Sequence, residues 1–470
     1  MKKQHIDLVV IGSGPGGYAA AFYASDLGKQ VLLVEKEDLG GVCLNRGCIP
    51  SKAFLHATHI KHTALEAKKM GLHFKKPTLD LDTLRSWKDG VVEKLSGGIA
   101  SLAKNRDVKV VKGRAYFEES QLIRIETKKG QELYTFDKAI LATGSRPAMP
   151  AAFDLGNPRI MSSTEALQLE TIPENLLVIG AGYIGMELGM VYARLGSQIT
   201  MVEALPSILA GADADLVSVL QKQVKSEFSE ILLSHKVAKM KTKKSAIEVV
   251  LENAEGKKET RSFDKVLVCV GRSPNSENLG LENTKVKLDE KGFVMVDESM
   301  QSLDPAIYAI GDIVGGALLA HKASKEARIA VENLLNMNVS SKNLLIPAVV
   351  YTDPEIAWVG LTQQEAKEQG IKVKIAKFSW AASGRALAMN RTEGFTKLIV
   401  DPETEQLLGV GIVGEHAGEL IGEATAWVNM KATVSDVAQT IHAHPTLSES
   451  ILEAAEVYFN HSSHVPVKKK

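Results

Sequence analysis

Ile6-Asp7-Leu8-Val9-Val10-Ile11-Gly12-Ser13-Gly14-Pro15-Gly16-Gly17, read on to Glu35, decides the fold of this chain. An apolar run enters a turn with glycine at 12, 14 and 17. Helix-forming residues follow, then the apolar run Val31–Val34, then the acid Glu35. Strand, glycine turn, helix, strand and acid in that order mark a dinucleotide-binding unit. The glycines permit the turn, the close approach of a pyrophosphate and close helix–strand packing, and the phosphates meet a helix N-terminus. A single copy of the pattern is weak evidence, because tight turns also use glycine.

The chain repeats it. Leu176–Ile179 leads into Gly180-Ala181-Gly182-Tyr183-Ile184-Gly185, and Gln198–Val202 ends at Glu203. From the third glycine to the acid is 18 positions in each copy, Gly17 to Glu35 and Gly185 to Glu203. Two copies with equal spacing predict two dinucleotide sites, with Glu35 and Glu203 each on a ribose. A carboxylate at Glu203 accepts a 2′-hydroxyl and repels a 2′-phosphate, and Ala204-Leu205-Pro206-Ser207 supplies no arginine. The second site is therefore expected to take NAD rather than NADP.

Just past the first unit lies Gly40-Gly41-Val42-Cys43-Leu44-Asn45-Arg46-Gly47-Cys48-Ile49-Pro50-Ser51-Lys52. Two cysteines there suggest a dithiol set against a bound redox cofactor. Residues five apart in an α-helix rise about 7.5 Å along the axis, and a disulfide needs Cα atoms within roughly 7 Å. If the two join, the segment must be irregular, and Gly47 supplies the backbone freedom. Pro50 suits the first turn of a helix. Cys48 would then lie near the positive end of the helix dipole with Lys52 one turn on, and both lower a thiol pKa. The alternative is two buried structural thiols. The third cysteine, Cys269, falls in the apolar run Val266–Val270 and reads as an inert strand residue.

At 470 residues the chain is too long for one ordinary core. A net charge of zero and a pI near 7.2 offer no basic surface for nucleic acid or anionic membrane. Lys468-Lys469-Lys470 reads as a solvated tail. No apolar run reaches the roughly 18 residues of a membrane span. A strand beginning by residue 6 leaves no room for a signal or transit peptide, and three cysteines are too few for a secreted disulfide scaffold. A cytoplasmic enzyme without a metal is the expectation.

The cysteine segment resembles the redox-active disulfide motif of the flavoprotein disulfide reductases. Cys-Leu-Asn-x-Gly-Cys-Ile-Pro-Ser-Lys is the form usual in members that oxidise dihydrolipoyl groups, with Arg46 standing where valine is commoner. The resemblance covers essentially the whole chain. It implies an α/β fold of two Rossmann-like dinucleotide-binding domains, for FAD and NAD, plus a C-terminal α+β dimerisation domain. The expected layout is an FAD domain at 1–147 resumed at 272–342, an NAD domain at 148–271 and an interface domain at 343–470. Ala139–Pro147 and its echo Lys265–Asn275 mark the crossings between the first two.

By resemblance FAD meets Gly12, Gly14, Gly17, Glu35, Lys36, Gly41, Val42, Cys43, Lys52, Gly113, Thr143, Gly144, Asp312 on the ribityl chain and the Ala320 amide. NAD meets Gly180, Gly182, Tyr183, Ile184, Gly185, Glu187, Glu203, Val237 and Gly271. Lys52 and Glu187 are expected to pair beside the flavin. Near the C-terminus, His444-Pro445-Thr446-Leu447-Ser448-Glu449 matches the family's base and its acidic partner, His444 and Glu449, with His442 a second candidate. Histidine is the natural base near neutral pH, and a carboxylate on its other nitrogen fixes the tautomer.

The expected chemistry is oxidation of dihydrolipoyl groups at a Cys43–Cys48 disulfide, with NAD reduced. The expected partners are a second copy of the chain, in a homodimer, the lipoyl and subunit-binding domains of dihydrolipoyl acyltransferases and the lipoyl carrier protein of glycine cleavage. Nucleic acid and membrane are not expected partners. The competing reading is a scaffold subunit that keeps the fold without the reaction. Retention of Cys43, Cys48, His444 and Glu449 argues against it.

Overall fold

A computed structural model describes residues 3–466, so the lysine tail 468–470 lies outside the described residues. The strand Lys3–Ile11 sits between Val31–Glu35 and Gly130–Leu141, parallel to both, and Ile307–Ala309 adds in parallel beyond the latter. Lys109–Glu119 pairs in parallel with Val31–Glu35 and then turns with Leu122–Thr127 and Gly130–Leu141 into an antiparallel meander. Parallel central strands are covered on both faces, which is why their sequences are continuous apolar runs. Val9, Leu32 and Leu141 face one core, and Val10, Leu33 and Ile140 face the other under the helices Pro15–Asp26 and Ala320–Leu334.

A second, all-parallel sheet runs in the order Glu230–Leu233, Gln198–Glu203, Asn175–Ile179, Lys265–Val268, Ile160–Met161. Tyr183–Leu195 is its crossover helix, and an antiparallel meander of Lys236–Thr242, Ile247–Glu252 and Lys258–Phe263 lies against it. The two echoing segments pair with each other: Ser145–Pro147 lies antiparallel to Arg272–Pro274, with Pro147 opposite Arg272. The chain thus leaves and re-enters the first unit through one small ribbon. Cys269 corrects the strand expectation. The strand ends at Val268, and Cys269 follows it with its carbonyl against Gly180. Burial pushes its thiol up to about 12, which keeps it unreactive.

The last unit is a five-stranded antiparallel sheet, ordered Ala348–Val350, Glu355–Gly360, Leu407–Gly414, Phe395–Val400, Lys374–Ser379. The helices Ala417–Asn429 and Glu449–Phe459 share its core with Trp380, Ile412 and Ile451. Among the described residues no helix is long and apolar enough to cross a membrane.

Candidate active site

The two glycine turns have one construction. Gly12 and Gly180 adopt φ of +97° and +99°, and a side chain at either would collide with the carbonyl of Ala142 or Cys269. Gly17 and Gly185 lie so close to the carbonyls of Gly12 and Gly180 that no Cβ fits. The middle glycines differ: a Cβ at Gly14 or Gly182 would have no protein atom within 4 Å. Protein packing does not explain glycine there, whereas close approach of a pyrophosphate does.

Each acid is tied to its own turn. Glu35 accepts from Ser13 N at 2.9 Å, Ser13 Oγ at 2.6 Å and Glu37 N at 2.9 Å. Glu203 accepts from Ala181 N at 2.7 Å and Leu205 N at 2.9 Å. A carboxylate has about four lone-pair sites, so both retain capacity for ribose hydroxyls. The strand ends bring the acids into place: Ile11 is in register with Val34, and Ile179 with Val202.

Cys43 and Cys48 are joined in a disulfide with Cα atoms 4.7 Å apart. The joint is irregular: the helix Gly41–Arg46 stops, Gly47 takes φ −146° and ψ −108°, and a new helix starts at Cys48. Pro50 is the third residue of that 19-residue helix, Cys48–Glu66, so Cys48 lies in its first turn, where backbone N–H groups are unpaired. Gly41, at φ +62°, lets this segment rest on the first turn, since a Cβ there would stand 2.6 Å from Gly14 Cα. Lys52 Nζ donates to Glu187 Oε2 at 2.7 Å and lies 4.4 Å from the centre of the Tyr351 ring. Glu187 is buried, and its other oxygen accepts from Tyr351 N at 3.0 Å.

One cavity of about 520 Å³ collects most of the first set. Its walls include Gly12, Gly14, Glu35, Lys36, Gly41, Val42, Cys43, Cys48, Lys52, Gly113, Thr143, Gly144, Asp312 and Ala320. Gly17 is absent from the lining because it packs behind the turn. Of the second set only Tyr183, Ile184 and Glu187 reach it. Gly180, Gly182, Gly185, Glu203, Val237 and Gly271 stay at the second turn. There His235 N bonds to Glu203 O at 2.9 Å, and Val237 follows two residues on. The disulfide therefore borders a space reached from both turns.

The pyridine nucleotide-disulphide oxidoreductase sequence model matches residues 6–327, and the dimerisation-domain model of the same family matches 346–455. The chain belongs to this family. It is 46% identical over 461 residues to the dihydrolipoyl dehydrogenase of Thermus scotoductus, covering 98% of each chain. It is 43% identical over 469 residues to that of Vibrio parahaemolyticus, covering 100% of this chain and 98% of the relative. Among solved structures it resembles LpdA from Mycobacterium tuberculosis, with a TM-score of 0.90 at 27% identity over 96% of this chain and 99% of that one. The Cu(II) complex of the HOCl-induced flavoprotein disulfide reductase RclA from Escherichia coli gives a TM-score of 0.87 at 26% identity over 97% and 99%.

In this disulphide oxidoreductase the histidine motif stands apart from the cavity. His444 Nδ1 lies 2.9 Å from Glu449 Oε1, and Thr446 N donates to the other oxygen at 2.7 Å. Burial pushes Glu449 up, but the Thr446 N–H and His444 outweigh it and hold the carboxyl below its usual range. The His444 side chain is 71% exposed. No residue after Ala323 lines the cavity, so the chain's own histidine is not part of that wall.

Sequence reading missed some of the oxidoreductase's wall. Ser145 Oγ donates to Asp312, and Arg272 donates to Ser145 Oγ at 2.7 Å and Ser145 O at 2.9 Å. All three line the cavity. Ser145 and Arg272 occupy equivalent places in the echoing segments, which was the available signal. Tyr351 carried none, since only tertiary folding brings it to Lys52.

Proposed function

We propose that the chain oxidises dihydrolipoyl groups to lipoyl groups with NAD as electron acceptor. The observation that carries this is the Cys43–Cys48 disulfide bordering a cavity shared by two dinucleotide turns. The similarity to dihydrolipoyl dehydrogenases over nearly the full length supports the substrate class. The open space beside Gly14, the Glu35 carboxylate and the Ser145–Asp312 pair suit FAD in the first cradle. Glu203, which makes no salt bridge among the described residues, suits NAD in the second. When bound, FAD supplies a two-electron carrier between dithiol and nicotinamide. The proposed division is 1–147 with 272–342 for FAD, 148–271 for NAD and 343–470 for the interface.

The residues' own work is thiol exchange. With the His444 Nδ1 proton held by Glu449, Nε2 is left as the acceptor and takes the proton of a dihydrolipoyl thiol. That thiolate attacks the Cys43 sulfur and displaces Cys48, whose charge the first turn of the helix Cys48–Glu66 stabilises. The second lipoyl thiolate attacks the mixed disulfide, releases the lipoyl ring and leaves Cys43, which takes up the remaining proton. Cys43 thiol, Cys48 thiolate and protonated His444 account for both protons and the electron pair. His444 is exposed and missing from its own chain's cavity, which favours a homodimer in which each base serves its partner's disulfide. Lipoyl domains of acyltransferases and a lipoyl carrier protein are the proposed macromolecular substrates.

The test is NADH formation from dihydrolipoamide and NAD by the purified protein. Cys43→Ser and Cys48→Ser should each lower it roughly 10³-fold or more. Turnover of glutathione disulfide with NADPH in its place would overturn the reading.

A further inference from the structure

Between the helices Val434–Gln439 and Glu449–Phe459 the chain crosses residues 440–448 without a helix or strand. Its side chains diverge sharply in exposure. Ile441 is 96% exposed and the His444 side chain 71%, while the His442 side chain is 5% exposed. His442 turns inward because both ring nitrogens are gripped. Nε2 lies 2.7 Å from Glu423 Oε1 and Nδ1 lies 3.0 Å from Thr440 O. Trp427 Nε1 donates to the same Glu423 oxygen at 3.2 Å and steadies it.

Glu423 and Trp427 are one turn apart on the helix Ala417–Asn429, whose Ala417, Ile421, Ala424 and Val428 are buried. Downstream, Thr446 Oγ1 donates to Ala443 O at 2.7 Å. Among the described residues the His442–Glu423 bridge is the one side-chain hydrogen bond joining residues 441–443 to that helix. Side by side, then, are two histidine–glutamate pairs of opposite aim: His444–Glu449 outward, His442–Glu423 inward.

We infer that His442 is a positioning residue for the base. Its bridge to Glu423 sets the direction in which Ile441 and His444 leave the chain, and so where His444 Nε2 meets a thiol at the second copy's disulfide. The inference rests on the reading of His444 as that base. An exposed base with no wall around it in its own chain is aimed by its bond to Glu449 and by the loop that carries it, and a 1 Å misplacement costs on the order of 10²-fold in rate.

The experiment mixes each holoenzyme with dihydrolipoamide without NAD and counts free thiols at Cys43 and Cys48 by rapid-quench alkylation. His442→Ala and Glu423→Ala should each slow thiol formation roughly 10- to 100-fold. The double variant should be no slower than either single one, as for two ends of one contact. Glu423→Gln keeps an oxygen for His442 and Trp427 and should stay within about threefold of the parent. His444→Gln is the reference for loss of the base. If it is slow and His442→Ala is as fast as the parent, the positioning role is overturned. If His444→Gln is itself fast, the base assignment fails and takes the inference with it. Should His442→Ala not fold, Glu423→Ala against Glu423→Gln decides: equal rates overturn the role, and a tenfold gap supports it.

Discussion

At Gly182 an added methyl group would meet no protein atom within 4 Å, whereas at Gly185 it would collide with the Gly180 carbonyl. Gly182 also has ordinary extended angles, φ −71° and ψ 177°, open to any residue. Gly182→Ala should therefore fold, at a cost of about 1 kcal/mol or less for the poorer helix cap. Its methyl group would fill the space proposed for pyrophosphate, so KM for NAD should rise more than about tenfold, equivalent to 1.4 kcal/mol of binding. Gly185→Ala should instead fail to give soluble protein. Thermal melts and NAD titration of both variants check this. An equal effect of the two on stability would mean that the middle glycine serves packing after all. The sequence pattern made these positions legible as a set, because glycine spacing is local. It could not separate their duties, because what a Cβ would strike at Gly12 and Gly180 belongs to Ala142 and Cys269, and at Gly14 and Gly182 to the space of a ligand.

Besides the apolar core they share, the strand Glu355–Gly360 and the helix Ala417–Asn429 are linked by a carboxylate. Glu355 accepts from Gly418 N at 2.8 Å, at the helix's N-terminal end. Burial pushes its carboxyl up to about 7, and Glu415, Glu419 and Asp353 push the same way against the Gly418 bond. An acid whose pKa is raised on folding binds more protons folded than unfolded, so stability falls as pH rises from about 4.5 to 7. Glu355→Gln keeps an acceptor for Gly418 N without the charge. It should stabilise the protein at pH 8 by at most about 3 kcal/mol, and hardly at all near pH 4. Melting curves across pH would show it, and a gain independent of pH would exclude the charge as its cause. At this scale sequence reading placed elements well and ends less well. The strand read through Cys269 stops at Val268. Ends are set by caps and tertiary contacts rather than by apolar runs. The Lys52–Glu187 pair was expected from the resemblance, whereas the contacts of Tyr351 with both could not be read, since no local pattern encodes them.

Across the whole molecule the proposed base and the disulfide belong to different units, and the cavity wall stops at Ala323 while His444 faces outward. Mixing Cys43→Ser and His444→Gln chains under conditions that exchange subunits should recover activity. Each heterodimer would hold one doubly damaged site and one intact site, and so about half the parental rate if the two-fold-related sites act independently. No recovery despite demonstrated heterodimers would put both residues in one subunit's site. The doubled glycine turn carries another consequence. Around the first copy Ser13 and Glu35 are buried, and the cavity folds over the turn. Around the second, Gly182, Tyr183, Ala204, Leu205 and Gly271 are exposed. Ser13 adds a hydroxyl lashing that Ala181 lacks. One template is thus expected to serve two residence times: a guest held in the first cradle should stay through many turnovers, and one resting on the second should depart after each.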